Sequence, residues 1–208
     1  SSIIDFNISL NEQVDWCGFS LLINGIWMEN ITMQLNESKT GSNYILSLDD
    51  GSYGVIFSCN DSFGNMNNTE GILFYIDTIN PGINFSLPTP ENNTFSKANS
   101  LFVNVSINEI SPVNVTFRLY KNGLINETNL SFLNSINSAS INFTYLDEGV
   151  YYYNVSIIDA AGNKNETETR KITIDSTMPG IEFTWRSESN GSYINRNNIL
   201  INATSNEQ

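Results

Sequence analysis

The sequence predicts an all-β chain made of tandem β-sandwich units of about seven strands each. Three observations lead to this fold class. Apolar and polar residues alternate with a period of two along most of the chain, which is typical of strands with one buried face. A whole set of such segments returns after 98 residues. No stretch shows the 3.6-residue periodicity of a helix.

The strands follow one another in the same order in both copies of the repeat. In the first copy, Ile4, Phe6, Ile8 and Leu10 alternate with polar residues and are expected to face the core. Asn122-Gly123 in the second copy, like Asn24-Gly25 in the first, tolerates positive φ and predicts a tight hairpin turn. The inward positions predicted for the second copy are Leu101, Val103, Val105, Ile107, Val115, Phe117, Leu119, Ile141, Phe143, Tyr145, Tyr151, Tyr153, Val155, Ile157, Ile172 and Ile174, while Ile181 and Phe183 open the next unit.

The repeat keeps its register across strands, turns and linkers. Residues 24–25, 48–53, 61–65 and 76–85 correspond to residues 122–123, 146–151, 159–163 and 174–183. A one-residue slip near Gln13 aligns residues 11–12 with 108–109 and with 206–207. One unit is therefore present twice and begins a third time.

Three of the repeated segments carry a family resemblance. Seven antiparallel strands in about 100 residues is the size of an immunoglobulin-like sandwich. The Leu-Asp-Asp/Glu-Gly-x-Tyr segment resembles the tyrosine corner of such domains, in which Tyr53 and Tyr151 would bond back to the backbone. Together with Asp-x-x-Gly-Asn and Ile-Asp-x-x-x-Pro-x-Ile, it resembles tandem immunoglobulin-like repeats of archaeal and bacterial cell-surface proteins: S-layer, stalk, adhesin and filament proteins. The second unit lacks the cysteine pair and central tryptophan of antibody-type domains.

The joints place unit boundaries near Pro81 and Pro179, because proline cannot pair within a central strand. Residues 81–178 form one complete unit, residues 1–80 a unit without its first strand, and residues 179–208 the first two strands of another. Two interpretations stay open. The chain is a window of a longer array, or its C-terminal strand completes the N-terminal unit of a neighbouring copy in a head-to-tail filament.

Composition excludes several classes of function. The 208 residues include 22 acidic and 9 basic side chains and no histidine. A net charge of -13 repels phosphate backbones, so no nucleic acid partner is expected. Without histidine the commonest general base and zinc ligand is missing. No apolar run approaches the roughly 18 residues of a membrane span. The chain starts with neither methionine nor a charged signal region, which favours a mature or excised segment.

Cys17 and Cys59 occupy the positions of Val115 and Ile157 in the second unit, on the inward phase of adjacent strands. A disulfide would link these strands in an oxidising compartment. The alternative is two buried free thiols that act as small apolar side chains. A redox or metal role is disfavoured, because the pair is far from Cys-x-x-Cys spacing.

The sequence is unusually rich in N-glycosylation sequons. With 33 Asn and 40 Ser and Thr, random placement predicts about 6 Asn-x-Ser/Thr sequons, whereas the chain contains 16. Strands with one wet face also create sequons by patterning, which explains Asn7, Asn104, Asn142 and Asn154. The predicted loop sites, which patterning does not explain, are Asn67, Asn92, Asn165 and Asn190. The remaining candidates are Asn30, Asn36, Asn60, Asn84, Asn114, Asn126, Asn129 and Asn202. Glycosylation implies export, so an extracellular or cell-surface location is expected.

No cofactor is expected, and calcium is the one cation considered. Asp77 and Asp175 in the joints, with Asp61 and Asp159 in the Asp-x-x-Gly-Asn turns, offer the oxygen ligands that calcium prefers. Turn chemistry is the competing interpretation, since Asp and Asn side chains bond their own backbone.

Catalysis is not expected. The acidic pairs at 49–50 and 147–148 are adjacent in a turn, which disfavours a shared catalytic cleft. No nucleophile elbow, phosphate loop or zinc pattern is present in the sequence.

The sequence therefore indicates a structural, non-catalytic repeat segment of an exported, N-glycosylated surface protein or extracellular filament. Its expected partners are copies of itself or neighbouring repeats, together with covalent glycans. The alternative is an adhesin or carbohydrate-binding module, in which Trp16 and Trp27 would stack on sugar rings. Trp16 is expected to point outward because it precedes Cys17, while domain packing is the plainer role for all three tryptophans, including Trp185.

Overall fold

The structure, a computed structural model, describes residues 1–110, 114–131, 136–185 and 187–206. The side chains of 127, 129 and 131 lie outside that description, so the sequon at Asn129 is not placed. All regular structure in the described part of the chain is β-strand, and no helix there is long and apolar enough to span a membrane.

The first unit is a sandwich of two antiparallel sheets. One sheet has the order β1-β6-β5, and the other has the order β3-β2-β7-β8, with β4 on the edge of β2 and β9 on β7. The strands are β1 (Ser2–Ser9), β2 (Trp16–Ile23), β3 (Ile26–Trp27), β4 (Ile31–Thr32), β5 (Gln34–Leu35), β6 (Gly41–Leu48), β7 (Gly51–Asn60), β8 (Met66–Asn67) and β9 (Gly71–Ile76).

The second unit repeats this plan and adds two strands at its start. The strands are β10 (Gly82–Phe85), β11 (Thr94–Ser96), β12 (Ser100–Asn108), β13 (Asn114–Lys121), β14 (Leu124–Ser131), β15 (Ser138–Thr144), β16 (Gly149–Ile158), β17 (Lys164–Glu166) and β18 (Arg170–Ile174). One sheet has the order β10-β12-β15, and the other has the order β11-β18-β16-β13-β14, with β17 on β16. Both units are immunoglobulin-like sandwiches, as the sequence predicts.

The alternation of apolar residues correctly predicts the core of the second unit. Val105, Phe117, Tyr153 and Val155 are completely buried, and they come from both sheets. The hairpin turns at residues 24–25 and 122–123 have positive φ at both positions, which matches the right-handed twist of the strands they join.

One predicted inward residue is wrong. Tyr145 is 90% exposed and has a φ of 58°, because β15 ends at Thr144 and the chain turns there toward β16. Alternation alone does not reveal where a strand stops, and a residue with positive φ lies outside the extended conformation that produces the alternation.

The C-terminal residues repeat the opening of the second unit. β19 (Ile181–Phe183) pairs antiparallel with β20 (Ala203–Ser205). Ile181 lies opposite Ser205 just as Ile83 lies opposite Ile107, 98 residues earlier. Unlike their counterparts, Ile181 and Phe183 are 73% and 76% exposed.

Candidate functional site

The two cysteines form a disulfide. Cys17 and Cys59 lie directly opposite each other on β2 and β7, with 4.1 Å between their Cα atoms. Both side chains belong to the apolar core of the first unit. The disulfide prediction is therefore confirmed and the free-thiol alternative is wrong. Such a bond persists in oxidising compartments.

A buried tyrosine secures the turn before β7 and the turn before β16. Tyr53 donates its hydroxyl hydrogen to the carbonyl oxygen of Asp49, and Tyr151 donates to that of Asp147, both at 2.8 Å. In the second unit the Lys121 ammonium also donates to the Tyr151 hydroxyl, at 3.0 Å. Because a buried hydroxyl without a partner is costly, these bonds hold each turn against the strand that follows. The same turns carry Asp50 and Glu148.

Those two carboxylates clamp the chain where it leaves each unit. The Asp50 carboxylate accepts from the backbone N–H of Thr78 at 3.1 Å and from its hydroxyl at 3.0 Å. Glu148 accepts from the N–H and the hydroxyl of Ser176 at 3.0 and 2.8 Å, and from the hydroxyl of Thr177. We call each arrangement the exit clamp. The hydroxyls of Thr177 and then Ser176 hold the pKa of Glu148 below its ordinary value, because they bond the ionised form.

The second unit also forms hydrogen bonds with the linker that joins it to the first unit. The side-chain amide of Asn163 donates to the carbonyl oxygen of Asp77 at 2.9 Å, and that of Asn165 donates to Pro81 at 2.9 Å. Asp159 shapes this turn by accepting from both the backbone and the side-chain N–H of Asn163. The joint is thus bonded at its exit and at its entry.

The sequence analysis missed the exit clamp and the role of Asn163. The sequence did contain a signal for the clamp. An acidic residue recurs at the repeat distance at positions 50 and 148, and a hydroxyl residue recurs at positions 78 and 176. Nothing in a single sequence shows, however, that side chains 28 residues apart meet. Only the fold brings the turn before β7 next to the end of β9.

One cluster of carboxylates lies at the first joint. Asp77, Glu109 and Asp159 place one oxygen each within 4.8 Å of one another. This brings together two of the four calcium candidates and adds Glu109, which the sequence analysis did not select. Carboxylate oxygens are the ligands that hard cations such as calcium prefer, so these residues are the ones in the described chain that would hold one.

The other candidates have turn roles. Asp61 accepts from the backbone and side-chain N–H of Asn65, at 2.8 and 2.7 Å, and the Asn65 side-chain bond is the main cause that lowers the pKa of Asp61. The Asp175 carboxylate accepts from the backbone N–H of Thr177 at 3.3 Å. Both are the local bonds expected of Asp at a bend.

The acidic pairs do not line a cleft in the described part of the chain. Asp50 and Glu148 are committed to the exit clamps, while the backbone of Asp49 and Asp147 serves the tyrosines. Two surface depressions, of about 410 and 320 Å³, lie elsewhere. The first is lined by residues 32–34 and 43–45, and the second by residues 83–85, 166–168 and 170.

The tryptophans have different environments. Trp16 donates its indole N–H to the Thr32 hydroxyl at 3.1 Å, and its ring lies over Gly18, where an added Cβ would come within 2.5 Å of the ring. It lies on the outer face, as expected, but serves to join β2 to β4. Trp27 is 47% exposed and lies opposite Leu22, whereas Trp185 is 82% exposed.

The structure distributes the sequon asparagines over both units. Most of them are exposed: Asn7, Asn30, Asn36, Asn67, Asn84, Asn92, Asn114, Asn126, Asn142, Asn165 and Asn190. Those that are partly buried are Asn60, Asn104, Asn154 and Asn202. Two predicted loop sites, Asn67 and Asn165, lie instead in the short strands β8 and β17, because these segments pair with β7 and β16.

Some of these amides already have partners. The Asn104 side-chain amide donates to the Ser86 hydroxyl and to the Leu87 carbonyl, both at 2.9 Å. Asn165 holds Pro81, as described above. The Asn67 side-chain oxygen accepts from the N–H and the hydroxyl of Thr69, the third residue of its own sequon.

The chain matches no family model and no curated protein. It is similar in structure to a tetra-tandem repeat in the extending region of a large adhesion protein, with 16% identity and a TM-score of 0.46 over 83% of this chain and 45% of that one. It is also similar to fibronectin(III)-like modules of Clostridium thermocellum CbhA, with 14% identity and a TM-score of 0.40 over 82% and 85%. A third similar structure is that of a bacterial ice-binding adhesin, with 14% identity and a TM-score of 0.38 over 86% and 61%.

Proposed function

We propose that this chain is a non-catalytic structural segment of an exported surface protein or extracellular filament. Its work is mechanical: sandwich units joined in series transmit load and hold a spacing. The exit clamp carries this proposal. The same acidic turn residue bonds the same linker position at Asp50–Thr78 and at Glu148–Ser176, so the direction in which the chain leaves each unit is specified twice.

A mutation in the clamp tests the proposal. Spin labels on cysteines introduced at Ser47 and Ser140, both exposed, report the distance between the two units. Asp50→Ala should broaden the distribution of label distances, since the linker loses its backbone and hydroxyl bonds. Asp49→Ala is the matched control, because it removes a neighbouring carboxylate but keeps the carbonyl that Tyr53 needs. Equal distributions in the two variants would contradict a spacer with a directed joint.

Export and glycosylation form the second part of the proposal. The Cys17–Cys59 disulfide supports an oxidising compartment, and the many exposed sequon asparagines support a glycosylated surface. In a sheet-rich array with few charges, glycans on the outer faces would keep exposed edges from pairing. Whether the parent is an S-layer, a stalk or a filament protein, its glycans and its neighbouring copies are the proposed partners.

Mass measurement tests this part. The denatured, reduced chain from a secreting host that glycosylates its exports should be heavier than 23.3 kDa and should return to that value after glycan removal. Glycopeptide mapping should find Asn104 unmodified, because both hydrogens of its amide are bonded to the loop at Ser86 and Leu87. An unchanged mass would show that the sequons result only from strand patterning.

Carbohydrate binding is the second candidate, favoured by one observation. Trp27 is half exposed beside Leu22 on the outer face of the first unit, and aromatic faces there are open to a sugar ring. Binding to a glycan panel that is lost in Trp27→Ala would support an adhesin. Trp185→Ala is the matched control, since Trp185 lies outside the first unit. Absence of binding across the panel would remove this candidate.

A further inference from the structure

The outer face of the first unit carries an uncharged apolar row that crosses four strands. Trp27 on β3 lies opposite Leu22 on β2. Leu22 in turn lies opposite Gly54 on β7, whose other neighbour is Leu73 on β9. Both leucines lie over the glycine, since a Cβ added to Gly54 would come within 3.1 Å of each of their side chains. Trp27 is 47% and Leu73 67% exposed, so much of this row faces solvent.

A sequon asparagine lies on the same face, next to this row. The Asn30 side-chain oxygen accepts a hydrogen bond from the hydroxyl of Ser20, which precedes Leu22 by two residues on β2. Side chains two residues apart on a strand lie on the same face, about 7 Å from each other. Asn30 is therefore one such step from the strand position that faces Trp27.

The bond to Ser20 leaves the Asn30 amide able to carry a glycan. Asn30 is exposed and begins an Asn-Ile-Thr sequon. An N-linked glycan is attached at the amide nitrogen, which makes no hydrogen bond with the described residues, whereas the oxygen holds the side chain on the outer face. Asn104 differs, because both of its amide hydrogens are already bonded.

The second unit has neither feature at the corresponding positions. The residue 98 positions after Asn30 is Thr128, which cannot begin a sequon. Lys171 replaces Leu73, so a charge interrupts the row there. The uncharged row and the sequon asparagine beside it thus occur together in the first unit.

We propose that Asn30 carries a glycan whose first sugar rings pack on the indole of Trp27 and on the apolar row beside it. This rests on the glycosylated surface proposed above, and it specifies one modified residue and the surface that its glycan covers. The C–H faces of pyranose rings pack on aromatic and apolar side chains, while their hydroxyl groups stay hydrated. The tether gives this glycan a high effective concentration at the row, which a free sugar lacks.

Stability measured with and without glycans tests the contact. The chain is made in a secreting host that glycosylates its exports and in one that forms disulfides but attaches no glycans. We expect the glycans to raise the calorimetric midpoint of the first unit by about 4 °C, the shift that one stacked contact gives in a unit of this size. This gain should vanish in Asn30→Gln and in Trp27→Ala, and should largely persist in Trp27→Phe, which keeps an aromatic face.

Asn7→Gln is the matched control. Asn7 is an exposed sequon asparagine on β1, in the opposite sheet, so its substitution should leave the gain unchanged. No gain in the parent chain, or a gain that remains in Trp27→Ala, would overturn the proposal. An equal loss of the gain in Asn7→Gln and Asn30→Gln would overturn it as well.

Glycopeptide mapping of the same material separates this inference from the proposed function. Glycans at other sequons with Asn30 unmodified would overturn the inference and leave the glycosylated surface standing. Bare asparagines at every sequon would contradict that surface too. Light scattering addresses a different occupant: a dimer of the glycosylated chain that Trp27→Ala disperses would overturn the proposal and assign the row to a second copy.

Discussion

At the scale of single residues, a single hydroxyl group in each tyrosine corner fixes a turn. Tyr53 and Tyr151 bury their rings among core residues and place one hydroxyl on one carbonyl oxygen. Each bond positions a carboxylate that bonds the linker. A core contact thus sets the geometry of the joint.

Removing the hydroxyl should destabilise the unit without changing its fold. We expect Tyr151→Phe to lower the free energy of unfolding by about 1 kcal/mol, since the Asp147 carbonyl and the Lys121 ammonium both lose the Tyr151 hydroxyl as a partner. Urea unfolding measures this change. Tyr152→Phe, on the outer face and 47% exposed, is the control and should shift stability by less than about 0.5 kcal/mol. Equal losses in the two variants would contradict the role of the corner.

The exit clamp makes stability depend on pH in an identifiable direction. Hydrogen bonds from Thr177 and Ser176 lower the pKa of Glu148 below 4.5, so its contribution is present above that pH and is lost as the pH falls through the lowered value. Glu148→Gln should therefore be less stable than the parent chain at pH 7, and the difference should shrink at pH 3. The urea midpoint of the second unit is the measurement.

Asp147→Asn provides the control for this pH effect. It changes the adjacent carboxylate but keeps the carbonyl oxygen that accepts from Tyr151. Its urea midpoint should follow that of the parent chain at both pH values. If the gap between Glu148→Gln and the parent chain were the same at pH 3 as at pH 7, the clamp would not act through the ionised carboxylate.

The residues that sequence reasoning identified are those whose partners lie in a regular pattern. Cys17 and Cys59 could be paired because the repeat assigns both to inward positions on adjacent strands, and the structure confirms the bond. The same alternation predicts that Tyr145 points inward. This prediction is wrong because the strand ends at Thr144. Local pattern predicts the side of a strand, while the end of the strand depends on the turn.

At the scale of elements, the disulfide replaces packing that the second unit achieves with aliphatic side chains. Cys17→Val with Cys59→Ile copies the residues of the second unit at these positions. The change removes a covalent link across 42 residues, which the chain-entropy model values at about 4 kcal/mol. We therefore expect the first unit to lose free energy of unfolding of about this size. The measurement is its unfolding midpoint, followed by the fluorescence of Trp16 and Trp27, which should fall. An unchanged midpoint would contradict a stabilising role for the disulfide.

The carboxylate cluster at the first joint gives a prediction about cations. Asp159 already accepts two bonds from Asn163, and Asp77 accepts from the N–H of Ile79. We therefore expect the thermal unfolding midpoint to be the same in calcium as in EDTA. A calcium concentration of about 10⁻³ M is suitable, because it matches the dissociation constants of weak extracellular calcium sites. A rise with calcium that disappears in Glu109→Gln would contradict this and identify a metal site.

The strands and their faces could be predicted from the sequence, as could the positions of the joints. The hydrogen bonds that hold the joints could not. Alternation of two residues is a property of one strand, so β12, β13 and β16 were assigned without knowledge of their neighbours. The clamps and the contact of Asn163 with Asp77 depend on where two distant turns meet. The repeat distance was the one long-range signal available, and β19 pairs with β20 in the register that β10 and β12 have 98 residues earlier.

At the scale of the whole molecule, the units differ in how completely their cores are closed. The second unit buries its apolar residues from both sheets, while several residues of the first remain partly exposed. Among the described residues each unit nevertheless has an apolar core of its own, and hydrogen bonds attach the linker to both units. The units should therefore bear load and unfold separately.

Pulling the single chain by its ends tests this mechanical claim most directly. The account predicts two unfolding events. The second unit, residues 81–178, should release a contour length of about 350 Å. The first, residues 1–80, should release about 140 Å while the disulfide shields its loop and about 290 Å after reduction. A single event for both units, or lengths that do not change on reduction, would contradict a chain of separate load-bearing sandwiches.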